Sequence, residues 1–258
     1  MKSDLKPNCL KFLIPGCGVL GFALRFLLFA TGTDGRGLLV RNHPAAIALW
    51  VLTAAVGAVL LFFGRHLEGP TAYADAHPVS FAAFLGCLAA AGGVAVTGVQ
   101  SFGDFTAALD VFIWVLTFAA AACLACVGVC RLLRLKPYFL LHVVVCIYFA
   151  LRLVTLYRRW SFDPCLHDYF FHLGAYLFLM LTAYHHAAFD AAMGSHRALW
   201  FCSLAGVYLC CTALYACQEP LLTAGCAIWC ITGLTNLTVK ERRVRPALNL
   251  DADEAQGA

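Results

Sequence analysis

The tetrapeptide Phe22-Ala23-Leu24-Arg25 occurs again as Phe149-Ala150-Leu151-Arg152, each time inside an apolar run of about 20 residues. Each of these runs is the first of four in its half of the chain. A second pair of similar segments, Ile113-Trp114-Val115-Leu116-Thr117 and Ile228-Trp229-Cys230-Ile231-Thr232, falls in the fourth run of each half. Arg and Trp are uncommon in this chain, so their matches carry more weight than those of Ala or Leu. The pattern predicts a duplicated membrane unit.

The composition places the chain among membrane proteins. Of its 258 residues, 62% are hydrophobic and 12% are charged, with a mean hydropathy of +0.80, whereas soluble domains carry about 25% charged residues. Eight apolar runs match the hydrocarbon thickness of a bilayer, at 12–31, 45–64, 79–99, 109–130, 138–157, 168–189, 198–216 and 221–238. Backbone groups in lipid must be satisfied within each segment, and these runs are too long for barrel strands. The sequence predicts an all-α polytopic protein with eight transmembrane helices.

The basic residues predict the orientation of these helices. With the N-terminus in the cytoplasm, the cytoplasmic segments hold twelve Lys and Arg residues and the outer loops hold four, when the intramembrane Arg25 and Arg152 are excluded. This distribution agrees with the positive-inside rule, and an even number of helices places both termini in the cytoplasm. The net charge of +4 follows from this topology, so it gives no argument for binding nucleic acid.

Four helices in each half predict that the second half enters the membrane from the same side as the first. The halves are then parallel repeats (4+4) related by an axis along the membrane normal. The predicted segments are a cytoplasmic N-terminus (1–11), a first four-helix repeat (12–130), a cytoplasmic linker (131–137), a second four-helix repeat (138–238) and a cytoplasmic tail, basic then acidic (239–258).

The two halves bring matched ionisable residues to the predicted outer leaflet, where an Arg ends the repeated tetrapeptide and an Asp and a His follow it. These candidate ligand-binding residues are Arg25, Arg152, His43, His172, Asp34 and Asp163. An Arg at a helix centre costs about 2.5–3.5 kcal/mol on insertion scales, so a retained intramembrane Arg indicates function. The structural alternative is that each Arg reaches the headgroups or pairs with the Asp of its own hairpin. The duplication does not decide between them.

Histidines near the inner ends of the fifth and sixth runs form a second candidate site. His142, His185 and His186 would lie at the same depth on neighbouring antiparallel helices, and bis-histidine haem ligation needs His residues on different helices that face each other. The first half has no counterparts to these residues, and a hydrogen-bonded polar cluster is the alternative that we favour. We therefore predict no bound cofactor and no metal.

Two further expectations concern chemistry. Cys165 and Cys217 both fall at the predicted outer face, where the formation of a disulfide is left open. The chain contains neither a Walker phosphate loop nor a Rossmann glycine fingerprint, HExxH zinc motif or nucleophile elbow. No connection between the runs is long enough for a soluble catalytic domain. These observations favour a protein that is not an enzyme.

Part of the second half resembles a known group of sequences. The run Trp160-Ser161-Phe162-Asp163-Pro164, followed by 179–184 and Ala188-Phe189-Asp190, is similar to uncharacterised multi-pass membrane proteins of bacteria. The resemblance implies a bacterial plasma membrane as the location and implies no function.

Three functions are compatible with the sequence. The first is binding or transport of a small anionic or zwitterionic solute at the interface of the two halves. The second is a membrane scaffold or an accessory subunit whose protein partner supplies the activity. The third is a haem-binding membrane oxidoreductase subunit that uses the histidine group. All three include the lipid bilayer as a partner, and none includes nucleic acid.

Overall fold

The protein is all-helical, as predicted. The computed structural model describes residues 5–32, 43–64, 67–68, 77, 80–103, 108–161, 169–215, 217–235, 237 and 240–241. These residues include eight helices: α1 (Leu5–Thr31), α2 (Pro44–Gly64), α3 (Phe81–Gln100), α4 (Ala108–Leu132), α5 (Phe139–Trp160), α6 (Phe170–Asp190), α7 (His196–Ala213) and α8 (Pro220–Thr235). Each helix covers one of the predicted apolar runs. Two short strands, β1 (Leu67–Glu68) and β2 (Lys240–Glu241), pair antiparallel.

Local sequence accounts for several helix starts. Pro44 and Pro220 are the first residues of α2 and α8, where the missing N–H costs no intrahelical hydrogen bond. Ser80 caps α3, because its Oγ accepts a hydrogen bond from the Ala83 N–H at 3.3 Å. These signals explain why the helices begin close to the predicted positions.

Five helices, α1 to α5, are long and apolar enough to cross a membrane. Their surfaces support membrane insertion: only 17% of the most apolar stretch of α2 is buried within the protein. Large apolar side chains such as Val51 and Phe62 are more than half exposed on this helix. A helix that is apolar all round needs an apolar surrounding, and a bilayer supplies it. These helices are compatible with an integral membrane protein.

The remaining three helices are shorter or less apolar than α1 to α5. Helix α8 is apolar but has 16 residues. Helices α6 and α7 carry polar residues such as His172, His186 and Arg197, and they are less apolar than α1 to α5. The reason is burial, since 14 of the 18 residues of α7 are buried against other helices. That all eight helices cross the membrane stays a prediction.

The helices form a ring of six with a hairpin on its outside. Around the ring, each of α3, α4, α5, α6, α7 and α8 packs on the next, and α8 packs on α3 to close it. The hairpin of α1 and α2 packs on α7 from outside. Side chains buried within the assembly include Tyr148 of α5 and Trp229 of α8, both 0% exposed. The ring positions residues from distant parts of the chain around one interior.

The two ends of the assembly are named here by one arginine at each end, Arg152 and Arg131. The Arg152 end contains the last residues of α1, α5 and α7 and the first residues of α6 and α8, because Arg25 contacts Thr212 and His172, and Arg152 contacts Glu219. The Arg131 end contains the last turns of α4 and α6 and the first turn of α5.

The packing does not confirm the arrangement as two equal four-helix repeats. Helices α6 and α7 pack extensively on one another, whereas the corresponding α2 and α3 share no extended interface among the described residues. Helix α3 instead packs on α8, and α4 packs on α5. The helices of the first half are therefore distributed between the ring and the outer hairpin.

The close packing of α3 on α8 depends in part on a glycine, and this gives a first prediction. A Cβ atom added at Gly93 of α3 would lie 2.5 Å from the Leu221 carbonyl oxygen and 2.8 Å from the Leu222 Cα. We expect Gly93→Ala to lower the free energy of unfolding by about 1–3 kcal/mol, because the opposing atoms are backbone and cannot move aside.

The adjacent glycine is the matched control for this substitution. A Cβ at Gly92 would meet no atom within 4 Å, so Gly92→Ala should leave stability unchanged or raise it through the better helix propensity of Ala. Thermal unfolding of both variants in the same detergent measures the difference. Equal melting temperatures for the two variants would contradict the packing of α3 on α8.

Candidate functional site

The first candidate arginine, Arg25, attaches α1 to the ring. Its side chain is 3% exposed, and its Nη1 donates to the Thr212 carbonyl oxygen of α7 at 3.4 Å. Its Nη2 lies 3.4 Å from Nδ1 of His172 on α6, which must accept because a guanidinium has only donors. The guanidinium also lies 5.5 Å from the ring centroid of Phe171. These contacts with α6 and α7 fit a structural clamp that holds α1 to the ring.

The two candidate histidines, His43 and His172, lie in different contacts and do not form one site. His43 precedes α2, where its Nδ1 accepts a hydrogen bond from the Ala45 N–H at 3.3 Å, and its Nε2 lies 3.4 Å from Thr31 Oγ1. His43 thus joins the two helices of the hairpin, whereas His172 contacts Arg25. Asp34 and Asp163 lie outside the described residues, as does Cys165, so their predicted pairings stay predictions.

The second candidate arginine, Arg152, joins α5 to α6 and α8 through one carboxylate. Its Nη2 donates to Oε1 of Glu219, which immediately precedes α8. The other carboxylate oxygen of Glu219 accepts a hydrogen bond from the Tyr176 hydroxyl of α6 at 2.6 Å. The Arg152 and Glu219 side chains are 14% and 20% exposed. Arg152 and Arg25 lie at the same end of the assembly but in separate clusters.

A polar pocket of about 270 Å³ opens beside the Arg152–Glu219 pair. Its lining comes from α3 (Thr97, Gln100) and the following Ser101, from α4 (Asp110, Ile113, Trp114, Thr117), from α5 (Arg152, Thr155, Arg159), and from Gln218 and Glu219. The pocket volume is just below the range of about 300–1,000 Å³ that is usual for ligand sites. It contains two arginines and two carboxylates, so it offers both signs of charge to a small molecule.

Several residues of this pocket were not among the predicted ligand-binding residues, because those were chosen at positions that match between the two halves. Glu219 and Arg159 have no identical partner in the first half. The signal that could have found them is rarity: the chain contains 14 acidic residues, and an acid directly before an apolar run has to satisfy its charge close to the membrane.

The Arg131 end contains a second, more deeply buried polar group. Nδ1 of His142 on α5 lies 2.5 Å from Oδ2 of Asp190 on α6, and the two side chains are 0% and 1% exposed. Nη2 of Arg131 on α4 lies 3.3 Å from Nδ1 of His186 on α6. We call these four residues the Arg131 cluster. It includes two of the three predicted histidines together with an acid and a base that were not predicted.

One further histidine, His77, precedes α3 and packs against the Arg131 cluster. His77 is 7% exposed, and its ring centroid lies 5.9 Å from that of His186. Burial, with the positive charge of Arg131, lowers the pKa of His77 to about 2. His77 therefore stays neutral at physiological pH and adds no charge to the cluster.

The histidine geometry differs from that of bis-histidine haem ligation. The rings of His142 and His186 stack with a centroid distance of 5.2 Å and an interplanar angle of 21°, so no porphyrin fits between them. His185 is half-buried and contacts Tyr184, at 5.2 Å between ring centroids. Among the described residues, no group of three or more His, Cys, Asp or Glu side chains is arranged to hold a metal ion.

Comparisons with protein-family models, with curated proteins and with solved structures give no match to this chain. The functional argument therefore depends on the two polar sites alone.

Proposed function

We propose that this integral membrane protein binds a small zwitterionic solute in the pocket at its Arg152 end and moves it through the six-helix ring. The observation that carries the proposal is the pocket itself, a polar cavity of about 270 Å³ between helices that are otherwise apolar. Polar groups at membrane depth are costly, and they are characteristic of substrate and ion pathways. In multi-helix membrane proteins, ligand sites are also commonly built between helices.

The charges of the pocket favour a zwitterion over the simple anion that two arginines first suggested. Arg152 is already neutralised by Glu219. Arg159, in the last turn of α5, is exposed and supplies a donor for a carboxylate. Asp110, in the first turn of α4, supplies the opposite charge for an ammonium group. A volume of about 270 Å³ suits a solute the size of an amino acid, since a water molecule occupies about 30 Å³ in the liquid.

The orientation and location of the protein belong to the same proposal. The excess of Lys and Arg in the predicted cytoplasmic segments supports cytoplasmic termini and an outward-facing Arg152 end. The pocket would then receive solute from outside the cell, and the bacterial plasma membrane is its proposed location.

The duplication of the chain remains part of the proposal. Arg25 and Arg152 both lie in the first helix of their halves, and their contacts place both at the Arg152 end. Parallel repeats require a shared end, whereas inverted repeats require opposite ends. This agreement supports two related four-helix units whose helices now pack in different ways.

A ligand screen tests the function without a prior choice of solute. The purified protein is heated in detergent with amino acids and betaines, with monocarboxylates and with alkylamines of similar size. We expect at least one zwitterion to raise the melting temperature, because a ligand at 100 times its Kd adds about 2.7 kcal/mol to stability. Stabilisation by monocarboxylates or amines alone would contradict the charge argument. The absence of any effect across the panel would contradict the binding function and favour the scaffold alternative.

A further inference from the structure

The most deeply buried ionisable pair in the described part of the chain lies away from the solute pocket. His142 and Asp190, at 0% and 1% side-chain exposure, join α5 to α6 at the Arg131 end. His142 lies three residues after the start of α5, about 4.5 Å along the helix axis, so the aqueous phase is near although the side chain is covered. A buried pair of this kind is a poor way to gain stability, because desolvation offsets the attraction. Ionisable groups kept inside membrane helices are instead common in proton pathways.

The directions of the hydrogen bonds define which ring nitrogen of His142 and of His186 carries the proton. An ionised carboxylate only accepts, so Nδ1 of His142 carries the proton and donates to Asp190. A guanidinium only donates, so Nδ1 of His186 accepts from Arg131. Nε2 of His142 is then an unprotonated nitrogen, and it is fully buried without a hydrogen-bond partner among the described residues.

The charges around His142 allow one further proton. Arg131 from α4 and Asp190 from α6 balance each other while the imidazoles are neutral. The other titratable groups nearby are His186 on α6, His77 before α3 and His196 at the start of α7, and α8 contributes the ring of Trp229. A proton on His142 would face the Asp190 carboxylate, whereas a proton on His186 would lie beside the Arg131 guanidinium.

We propose that Nε2 of His142 is a proton-binding site that exchanges with the aqueous phase at the Arg131 end. The proton comes from water, binds the Nε2 lone pair and produces an imidazolium whose charge is compensated by Asp190. Stacking of His142 on His186, 5.2 Å apart, limits the pair to one proton, since two stacked imidazolium ions beside Arg131 would repel each other. This inference stands on the cluster alone and does not require the solute pocket.

Nitrogen NMR on the full-length protein in lipid nanodiscs tests this site directly. The chain contains a single His–Val sequence, His142-Val143, so labelling with ¹³C,¹⁵N-histidine and ¹⁵N-valine assigns His142 in the wild-type protein without a substitution. The side-chain ¹⁵N shifts of His142 are then followed from pH 9 to pH 5. We expect one protonated ring nitrogen at pH 9 and two at pH 5.

Two variants separate this role from a structural one. In Asp190→Asn the compensating charge is gone, so we expect His142 to stay neutral down to pH 5. In His185→Gln, the matched control beside His186 but outside the cluster, the His142 titration should be unchanged. A His142 ring that keeps one protonation state from pH 9 to pH 5 in the wild-type protein would overturn the proposal. An unaltered His142 titration in Asp190→Asn would also overturn the proposal. If Asp190→Asn does not fold, the titration of His142 in the wild-type protein is the deciding result. Neither outcome bears on solute binding at the other end.

Discussion

Replacing His142 with leucine should lower the free energy of unfolding by about 3–5 kcal/mol, the cost of leaving a buried carboxylate without its partner. Asp190 keeps 1% side-chain exposure and loses its hydrogen-bonded partner. Leucine fills a volume similar to that of histidine, so the loss of stability comes from the unpaired Asp190 carboxylate and not from a cavity. Unfolding in a denaturing detergent titration measures the change.

The double variant His142→Leu/Asp190→Leu is the decisive companion to this experiment. Because replacing both members of the pair by apolar groups removes the stranded carboxylate, the double variant should regain part of the lost stability, while the buried Arg131 loses the charge that balances it. His185→Leu, at a half-buried position of the same helix, is the control and should change stability by less than about 0.5 kcal/mol. Additive losses in the double variant would show that His142 and Asp190 do not interact.

Glu219→Ala should have the second-largest effect, a loss of about 2–4 kcal/mol. The substitution leaves both the Arg152 guanidinium and the Tyr176 hydroxyl without their shared acceptor, and a hydrogen bond to a charged group contributes about 1.5–3 kcal/mol. The expected loss is smaller than the sum of two such bonds, because the pair is 14% and 20% exposed and water in the pocket replaces part of the contact.

The neighbouring residue provides a control for this substitution. Gln218 lines the same pocket and is exposed, so Gln218→Ala should change stability by about 0.5 kcal/mol or less. Thermal unfolding of the two variants gives the comparison. A Glu219→Ala variant as stable as Gln218→Ala would mean that the salt bridge to Arg152 does not hold α8 to α5.

Hydrophobic run length was enough to predict the helices, because each run has to satisfy its own backbone in lipid. It could not predict which helices are neighbours. Arg25 contacts His172, which is 147 residues away in the chain, and Arg152 contacts Glu219, which is 67 residues away. Comparing the halves paired Arg25 with Arg152 by sequence, whereas helix packing separates them into a clamp and a pocket.

Burial inside the bundle explains why α7 is less apolar than the helices that are exposed to lipid. Helix α7 is covered on most of its surface by α1, α2, α6 and α8. Few of its side chains can face lipid, so the helix can include polar residues. His142 and His186 do meet at one depth on adjacent antiparallel helices, but their rings stack, an orientation that spacing along the chain does not encode.

The measurement that tests the central claim most directly is equilibrium binding of the best zwitterion from the screen to two arginine variants. Arg159 lines the pocket, whereas its neighbour Arg158, equally exposed in the last turn of α5, does not. We predict that Arg158→Gln binds the solute with wild-type Kd. Arg159→Gln should bind about tenfold or more weakly, since it loses a charge-assisted hydrogen bond and 1.4 kcal/mol corresponds to a factor of about ten. Equal Kd values for the two variants would contradict a solute site in this pocket.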